Sequence, residues 1–316
     1  MKIVVPDDHP PVFTGSKAEG MVRELGEVAI YDSRPTTEAE LIERMGGAGA
    51  AISIRSAVPF PRSVLAVCPD LRLISVWGTG VDHVDLAAAR ELGVTICNTP
   101  AVSAESVAEH ALALMLATAR RLPSIDAEVR AGGWPKGMVT QLSGKTLGVV
   151  GLGAIGRRVA ALGKGIGMNA IAWTFHPDAG LAAKLGVEMV QLEDLYSRAD
   201  VVSIHLRLSR QTEKMVGRQA FERMKRSALL VNTARGAIVD EAALVDALRS
   251  GRIAGAGLDV YAEEPLPVGH PLFSAPNAVL TPHSAGLSPE ALEAGLVMSV
   301  TNVRDFIAGA PSNVVT

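Results

Sequence analysis

Aromatic residues fill only 4% of the 316 positions, and cysteine occurs twice, at Cys68 and Cys97. Two cysteines with no C-x-x-C pair cannot build a disulfide framework; they read as small buried hydrophobes in a reducing compartment. Charge of one sign is also missing, since 30 Lys and Arg face 33 Asp and Glu for a net of -3, which excludes the basic footprint of a nucleic-acid binder. The most apolar segment, Val107 to Ala119, is interrupted by Glu109 and His110, and its uncharged part falls far short of the ~18 residues a membrane span needs. Met1 to Asp8 lacks the basic start and small-residue cleavage site of a signal peptide. A cytoplasmic protein with neither nucleic-acid nor membrane partners is expected. No HExxH or comparable ligand spacing occurs, so no metal is expected, and the lack of repeats and charge blocks excludes solenoids and interaction tails.

What is present is a regular alternation of short β-branched runs and longer helical patterns, the mark of parallel sheets. The length exceeds one ordinary hydrophobic core, so two domains are expected. Strands are predicted at Lys2 to Pro6, Val28 to Tyr31, Ala51 to Ile54, Leu73 to Val76 and Val94 to Cys97. A second series is predicted at Thr146 to Val150, Ala170 to Trp173, Val201 to His205, Leu229 to Asn232, Ala256 to Val260 and Val279 to Thr281. Thr37 and Glu40 are spaced as a capping box. A long helix is expected over Ser103 to Leu122, then a turn-rich crossing between domains at Ala131 to Gly144. Ser288 and Pro289 open a final helix to about Ile307. The fold class is α/β, with two doubly wound, Rossmann-like parallel-sheet domains and ligands at the carboxyl ends of the strands, in the cleft.

Three clusters carry chemistry. Gly151, Gly153 and Gly156 form G-x-G-x-x-G directly after an apolar strand, with a helix starting near Ala154 and Ile155. Such a turn brings the backbone close to a pyrophosphate and aims free amides and the helix dipole at it. A second strand delivers Arg235 at its carboxyl end, within Asn232 to Glu241. Its planar fork suits a carboxylate, although a salt bridge explains it equally well. The third cluster joins Gly257 to Pro265 with Leu280 to Gly286. If Glu264 meets His283, the carboxylate favours imidazolium and fixes the ring for proton transfer. A lone histidine is more often structural, and spacing alone does not show that the two touch.

These motifs, with Ile54-Arg55-Ser56, Gly78 to Asp85 and Ser106-Val107-Ala108-Glu109-His110, are where the chain resembles the D-isomer-specific 2-hydroxyacid dehydrogenase family from Arg55 almost to the end. That family includes phosphoglycerate, glyoxylate and hydroxypyruvate enzymes. The resemblance implies hydride transfer between NAD(P)(H) and carbon 2 of a small D-2-hydroxy or 2-keto acid. It implies that Arg235 clamps the substrate carboxylate, His283 is the acid/base, Glu264 its partner, and Asp259 a contact at the nicotinamide end. Cofactor contacts are implied for Gly151, Gly153, Ala154, Ile155, Gly156, Thr174, Thr233, Ala234, Arg235, Asp259, His283 and Gly286. Substrate contacts are implied for Arg55, for the backbone amides of Gly78, Thr79 and Gly80, and for Arg235. The smaller substrate domain would be discontinuous, 1–98 plus 287–316, with a dinucleotide-binding domain over 99–286. The Ser103 helix would help form a homodimer.

Three departures from the family pattern stand out. Trp173-Thr174-Phe175-His176 replaces the acid that commonly follows the second cofactor-domain strand, so NAD is the default cofactor and NADP stays open. His205-Leu206-Arg207 stands where His-x-Pro is usual, with His205 read as structural, and Trp77 beside the Gly78 loop is expected to narrow the pocket. Arg55 could meet a second anionic group of the substrate or serve structure alone. A dinucleotide-sensing corepressor on the same fold is the rival reading; short termini without added tails favour a metabolic enzyme. A formate dehydrogenase is disfavoured by Glu264.

Overall fold

The computed structural model describes residues 1–54 and 58–315; Arg55, expected at the substrate, lies outside the described residues. The chain divides into two compact units, Met1–Ser103 with Leu287–Thr316, and Ala104–Gly286. The segment 131–144, expected as a crossing, therefore belongs wholly to the second unit, and the chain changes units near Ser103 and again near Leu287.

In the first unit, strands β1 (Lys2–Val5), β2 (Glu27–Ile30), β3 (Ala50–Ile54), β4 (Leu73–Trp77) and β5 (Thr95–Cys97) form one sheet in the order β2-β1-β3-β4-β5. Every pairing in it is parallel. Strands β3 and β4 are buried along their whole length, as strands covered on both faces must be. Side chains alternate between two cores: Val4, Ala51, Ile74 and Val76 face one, while Ile3, Val5, Ile52 and Leu73 face the other with Leu296, Val300 and Val303. Those last three come from the terminal helix Pro289–Ile307, capped by the Ser288 hydroxyl on the Ala291 amide. Buried hydrogen bonds fix that helix on the sheet: Asn302 Nδ2 donates to Ser75 Oγ and to the Asn98 carbonyl, and Ser75 Oγ to the Ser299 carbonyl. Trp77 packs here too. A Cβ at Gly295 would fall 1.7 Å from Trp77 Nε1, so the indole fills the notch that this glycine leaves in the helix. With 7% exposure, Trp77 belongs to the core and does not narrow a pocket.

The second unit has β6 (Thr146–Val150), β7 (Asn169–Trp173), β8 (Glu188–Met189), β9 (Val201–Ile204), β10 (Leu229–Asn232), β11 (Gly255–Leu258) and β12 (Ala278–Leu280) in the order β12-β11-β10-β9-β6-β7-β8. All pairs are parallel. The winding direction reverses between β6 and β9, which opens the crevice where such sheets bind ligands. The edge strand β8 has no counterpart among the expected strands, because two residues carry no periodicity. The expected long helix ends at Arg120; Arg121 turns left-handed at φ 52°, and a new helix, Leu122–Arg130, begins with Pro123 in its first turn. Proline is tolerated there and would break a continuous helix. The Thr37 capping box forms by half: Thr37 Oγ1 accepts from the Glu40 amide, while the Glu40 carboxylate turns to Thr36. Among the described residues no helix is long and apolar enough to cross a membrane.

Candidate active site

The Gly151 turn leaves β6 at the reversal point. Gly151 has φ 101°, and a Cβ there would meet the His205 carbonyl oxygen at 2.6 Å; at Gly156 it would meet the Gly151 oxygen at 2.0 Å. Both positions thus need glycine for the turn to close. At Gly153, by contrast, a Cβ would find nothing within 4 Å. Gly153 is the N-cap of the helix Ala154–Gly165 and supplies no side-chain cap, so the first-turn amides, including those of Ala154 and Ile155, are left for an anion. Open space over uncapped amides fits a dinucleotide pyrophosphate.

The neighbouring strand ends complete this side. The Gly151 amide donates to the Trp173 carbonyl at 2.7 Å, which places half-buried Thr174 and exposed Phe175 and His176 just beyond the turn. Phe175 sets its ring edge-on to Trp173, with centroids 4.8 Å apart. Exposed Arg207 follows two residues after His205. The His205 ring is held by Ser203 Oγ at 2.8 Å, and burial pushes its pKa down to about 3, so it stays neutral. Among the described residues no three His, Cys, Asp or Glu side chains are grouped to hold a metal.

At the end of β10 the Asn232 side chain folds the following turn: its Oδ1 accepts from the Ala234 amide and its Nδ2 donates to the Arg235 carbonyl, both at 3.0 Å. Arg235 leaves this turn in extended conformation, half-buried. Thr233 Oγ1 is buried and has no hydrogen-bond partner among the described residues. Such an atom calls for a ligand or ordered water.

The ends of β11 and β12 bring the third cluster together. His283 Nδ1 lies 2.6 Å from Glu264 Oε2, and the other oxygen, Oε1, accepts from the Tyr261 amide at 2.9 Å. Burial acts to raise the Glu264 carboxyl, but the bonds from His283 and Tyr261, with the charges of His283 and Arg235, hold it below its usual range. The His283 side chain is 44% exposed. With Nδ1 committed to Glu264, Nε2 is the nitrogen left for outside chemistry.

Asp259, expected at the nicotinamide end, is fully buried. Its Oδ1 takes the Thr281 hydroxyl at 2.6 Å and the Ser284 amide at 2.9 Å, and its Oδ2 the Ala285 amide at 2.9 Å. The carboxylate is thus occupied with the turn that carries His283 and ends at half-buried Gly286.

In the first unit, the Gly78 amide is not free for a substrate: it donates to Thr99 Oγ1 at 2.7 Å, and the Gly78 carbonyl accepts from the Thr99 amide. Asn98 Nδ2 holds the Thr79 carbonyl at 2.8 Å. Sequence reasoning did not single out Asn232, Thr99 or Tyr261, whose roles are to shape turns. A polar residue closing a strand was the available signal.

A family model for the D-isomer specific 2-hydroxyacid dehydrogenase NAD binding domain matches residues 112–285. The glycerate dehydrogenase of Methylorubrum extorquens is 39% identical over 310 residues, 94% of this chain and 95% of that protein. The glyoxylate reductase of Korarchaeum cryptofilum is 39% identical over 291 residues, 90% of this chain and 87% of that protein. Among solved structures, an acyclic imino acid reductase in complex with NADPH and D-Arg superposes with a TM-score of 0.90 at 28% identity, covering 100% of both chains. The chain belongs to the D-isomer-specific 2-hydroxyacid dehydrogenase family. It is an NAD(P)-dependent oxidoreductase acting at carbon 2 of a small 2-hydroxy or 2-keto acid, and these relatives lend the corepressor reading no support.

Proposed function

We propose that His283 is the acid/base of this enzyme, Glu264 its partner, Arg235 the clamp on the substrate carboxylate, and the Gly151 turn the seat of the cofactor pyrophosphate. The observation that carries this reading is the 2.6 Å pair between His283 Nδ1 and Glu264 Oε2, which commits one ring nitrogen and leaves the other to exchange a proton. NAD(P)H, when bound, supplies the hydride that carbon 2 of the keto acid accepts. The Nε2–H of His283 gives its proton to the oxygen of carbon 2 as negative charge builds there; in the reverse direction neutral Nε2 takes the hydroxyl proton. Glu264 stabilises the charged ring and holds its orientation. Arg235 binds the carboxylate through two parallel charged hydrogen bonds, which fixes the face of carbon 2 presented for reaction.

The unit Ala104–Gly286 is proposed to bind the dinucleotide, with Thr233 Oγ1 and the Ala234 backbone as contacts beyond the glycine turn, and the other unit to serve the substrate. Within that unit the amides of Thr79 and Gly80 are the candidate substrate contacts, since that of Gly78 is taken by Thr99. The names glycerate dehydrogenase and glyoxylate reductase, carried by relatives matched over most of their length, support glyoxylate or hydroxypyruvate, the keto acid of glycerate, as substrates. A homodimer is part of this reading, with Trp134 and Met138, 78% and 95% exposed, as candidate contacts for a second subunit. Two buried free cysteines support a cytoplasmic location.

Steady-state reduction of glyoxylate, hydroxypyruvate and phosphohydroxypyruvate with NADH and with NADPH tests the reading. The first two are expected to turn over with the higher kcat/KM; preference for the phosphorylated acid would overturn the substrate assignment, and no turnover of any would overturn the site.

A further inference from the structure

The run Ser106-Val107-Ala108-Glu109-His110 lies in the helix Ala104–Arg120, and the chemistry above uses none of it. Val107 and Ala108 are buried and Glu109 is exposed. Ser106 and His110, four positions apart, share one face of the helix. Both reach the turn that carries His283. Ser106 Oγ donates to the Ala285 carbonyl at 2.7 Å, and His110 Nε2 lies 2.9 Å from Thr281 Oγ1 and 3.4 Å from Asp259 Oδ1. The helix can come this close because β11 carries glycine beneath it: a Cβ at Gly257 would stand 2.9 Å from Leu114 Cβ.

The proton positions follow from the donors available. The Thr281 hydroxyl has one proton, and the Asp259 carboxylate at 2.6 Å takes it. Thr281 Oγ1 therefore accepts from His110, which must carry a proton on Nε2. Asp259 in turn receives the His283 amide on its backbone carbonyl at 2.7 Å and the Ser284 and Ala285 amides on its carboxylate, each at 2.9 Å. Three successive amides, 283 to 285, thus converge on one residue. They hold His283 at φ 52°, a left-handed conformation that a side-chain-bearing residue adopts only when its surroundings impose it.

We propose that Ser106 and His110 are positioning residues for proton transfer: one helix face grips both sides of the His283 turn, Ser106 directly at Ala285 and His110 through Thr281 and Asp259. This rests on the assignment of His283 as the acid/base. Neither residue touches the reacting atoms; their effect is to keep Nε2 of His283 where the substrate oxygen arrives.

The test compares His110→Phe, which keeps a ring and loses the donor, with His110→Gln, which restores one, and Ser106→Ala with Ser106→Thr. His110→Phe is expected to lower kcat by about tenfold or more, the scale of a small misplacement of a reacting group, with KM and the fluorescence-measured Kd for NADH nearly unchanged. Gln at 110 and Thr at 106 are expected to recover most of the loss from Phe and Ala. Placed in a His283→Gln background, His110→Phe is expected to cost nothing further, because it acts through the ring already removed. A fall in thermal stability without a fall in kcat, equal damage from Phe and Gln, or an undiminished loss in that background would each overturn the proposal. If His110→Phe does not fold, the Ser106 pair decides on the same criteria. Wild-type turnover by His283→Gln alone would instead sink the acid/base assignment.

Discussion

Glu264 Oε2 and His283 Nδ1 lie 2.6 Å apart across 19 positions of sequence. The contact is made by two strand ends, β11 and β12, whose following turns are tied to each other: the His283 amide bonds to the Asp259 carbonyl, and Tyr261 Oη donates to the Thr281 carbonyl at 2.9 Å. The pair is therefore held by its backbone surroundings as well as by its own attraction.

Replacing His283 by Gln leaves a side chain of similar reach that cannot transfer a proton. A fall in kcat of roughly a hundredfold or more is expected, while the Kd for NADH, read by fluorescence, stays within about twofold. A variant that reduces keto acids at the wild-type rate would return His283 to a structural role.

Glu264→Gln addresses the partner through pH. Burial alone would raise the Glu264 carboxyl, but His283, the Tyr261 amide and Arg235 together hold it below the unfolded value of 4.5. A depressed folded value means that the ionised carboxylate stabilises the fold above pH 4.5 and that this contribution is lost as pH falls through the folded value. Thermal melts at a series of pH values are expected to show wild type more stable than Glu264→Gln at pH 7, with the gap closing in acid. A gap that is constant across the series would show that the charge of Glu264 contributes nothing.

Arg235→Lys keeps the positive charge and removes the planar fork. The KM for the keto acid is expected to rise by about tenfold or more, and kcat to fall with it if the carboxylate no longer fixes the substrate's orientation. Because Asn232 braces the turn through the backbone of Ala234 and Arg235, the substitution should leave the melting temperature close to wild type. Unchanged kinetics would place Arg235 in a salt bridge only.

Thr174 stands where an acid would bind the ribose 2′-hydroxyl and repel a 2′-phosphate. It follows β7 beside the Gly151 turn and offers a hydroxyl without charge. Both cofactors are expected to work in wild type, and Thr174→Asp to shift the ratio of kcat/KM towards NADH. If wild type already rejects NADPH and the variant discriminates no further, selection resides elsewhere.

The sequence alone determined the features whose signals are local. Eleven of the twelve strands announce themselves as short apolar runs, the glycine turn by the spacing of Gly151, Gly153 and Gly156 behind one of them, and the final helix by Ser288 and Pro289. Each signal spans a few residues, and the backbone geometry it encodes is settled within that span. The two-residue strand β8 has no such signal, and the helix Leu122–Arg130 begins directly where the long helix is expected to end, with only Pro123 in its first turn to mark it. Only the tertiary structure decided that Trp77 fills the notch at Gly295, that the Gly78 amide is spent on Thr99, that the Asp259 carboxylate is enclosed by the His283 turn, and that Ser106 and His110 hold that turn from another element. These contacts join residues far apart in sequence, and what selects them is the packing of helix on sheet together with the need of each buried donor and acceptor for a partner, a condition that no short stretch of sequence expresses.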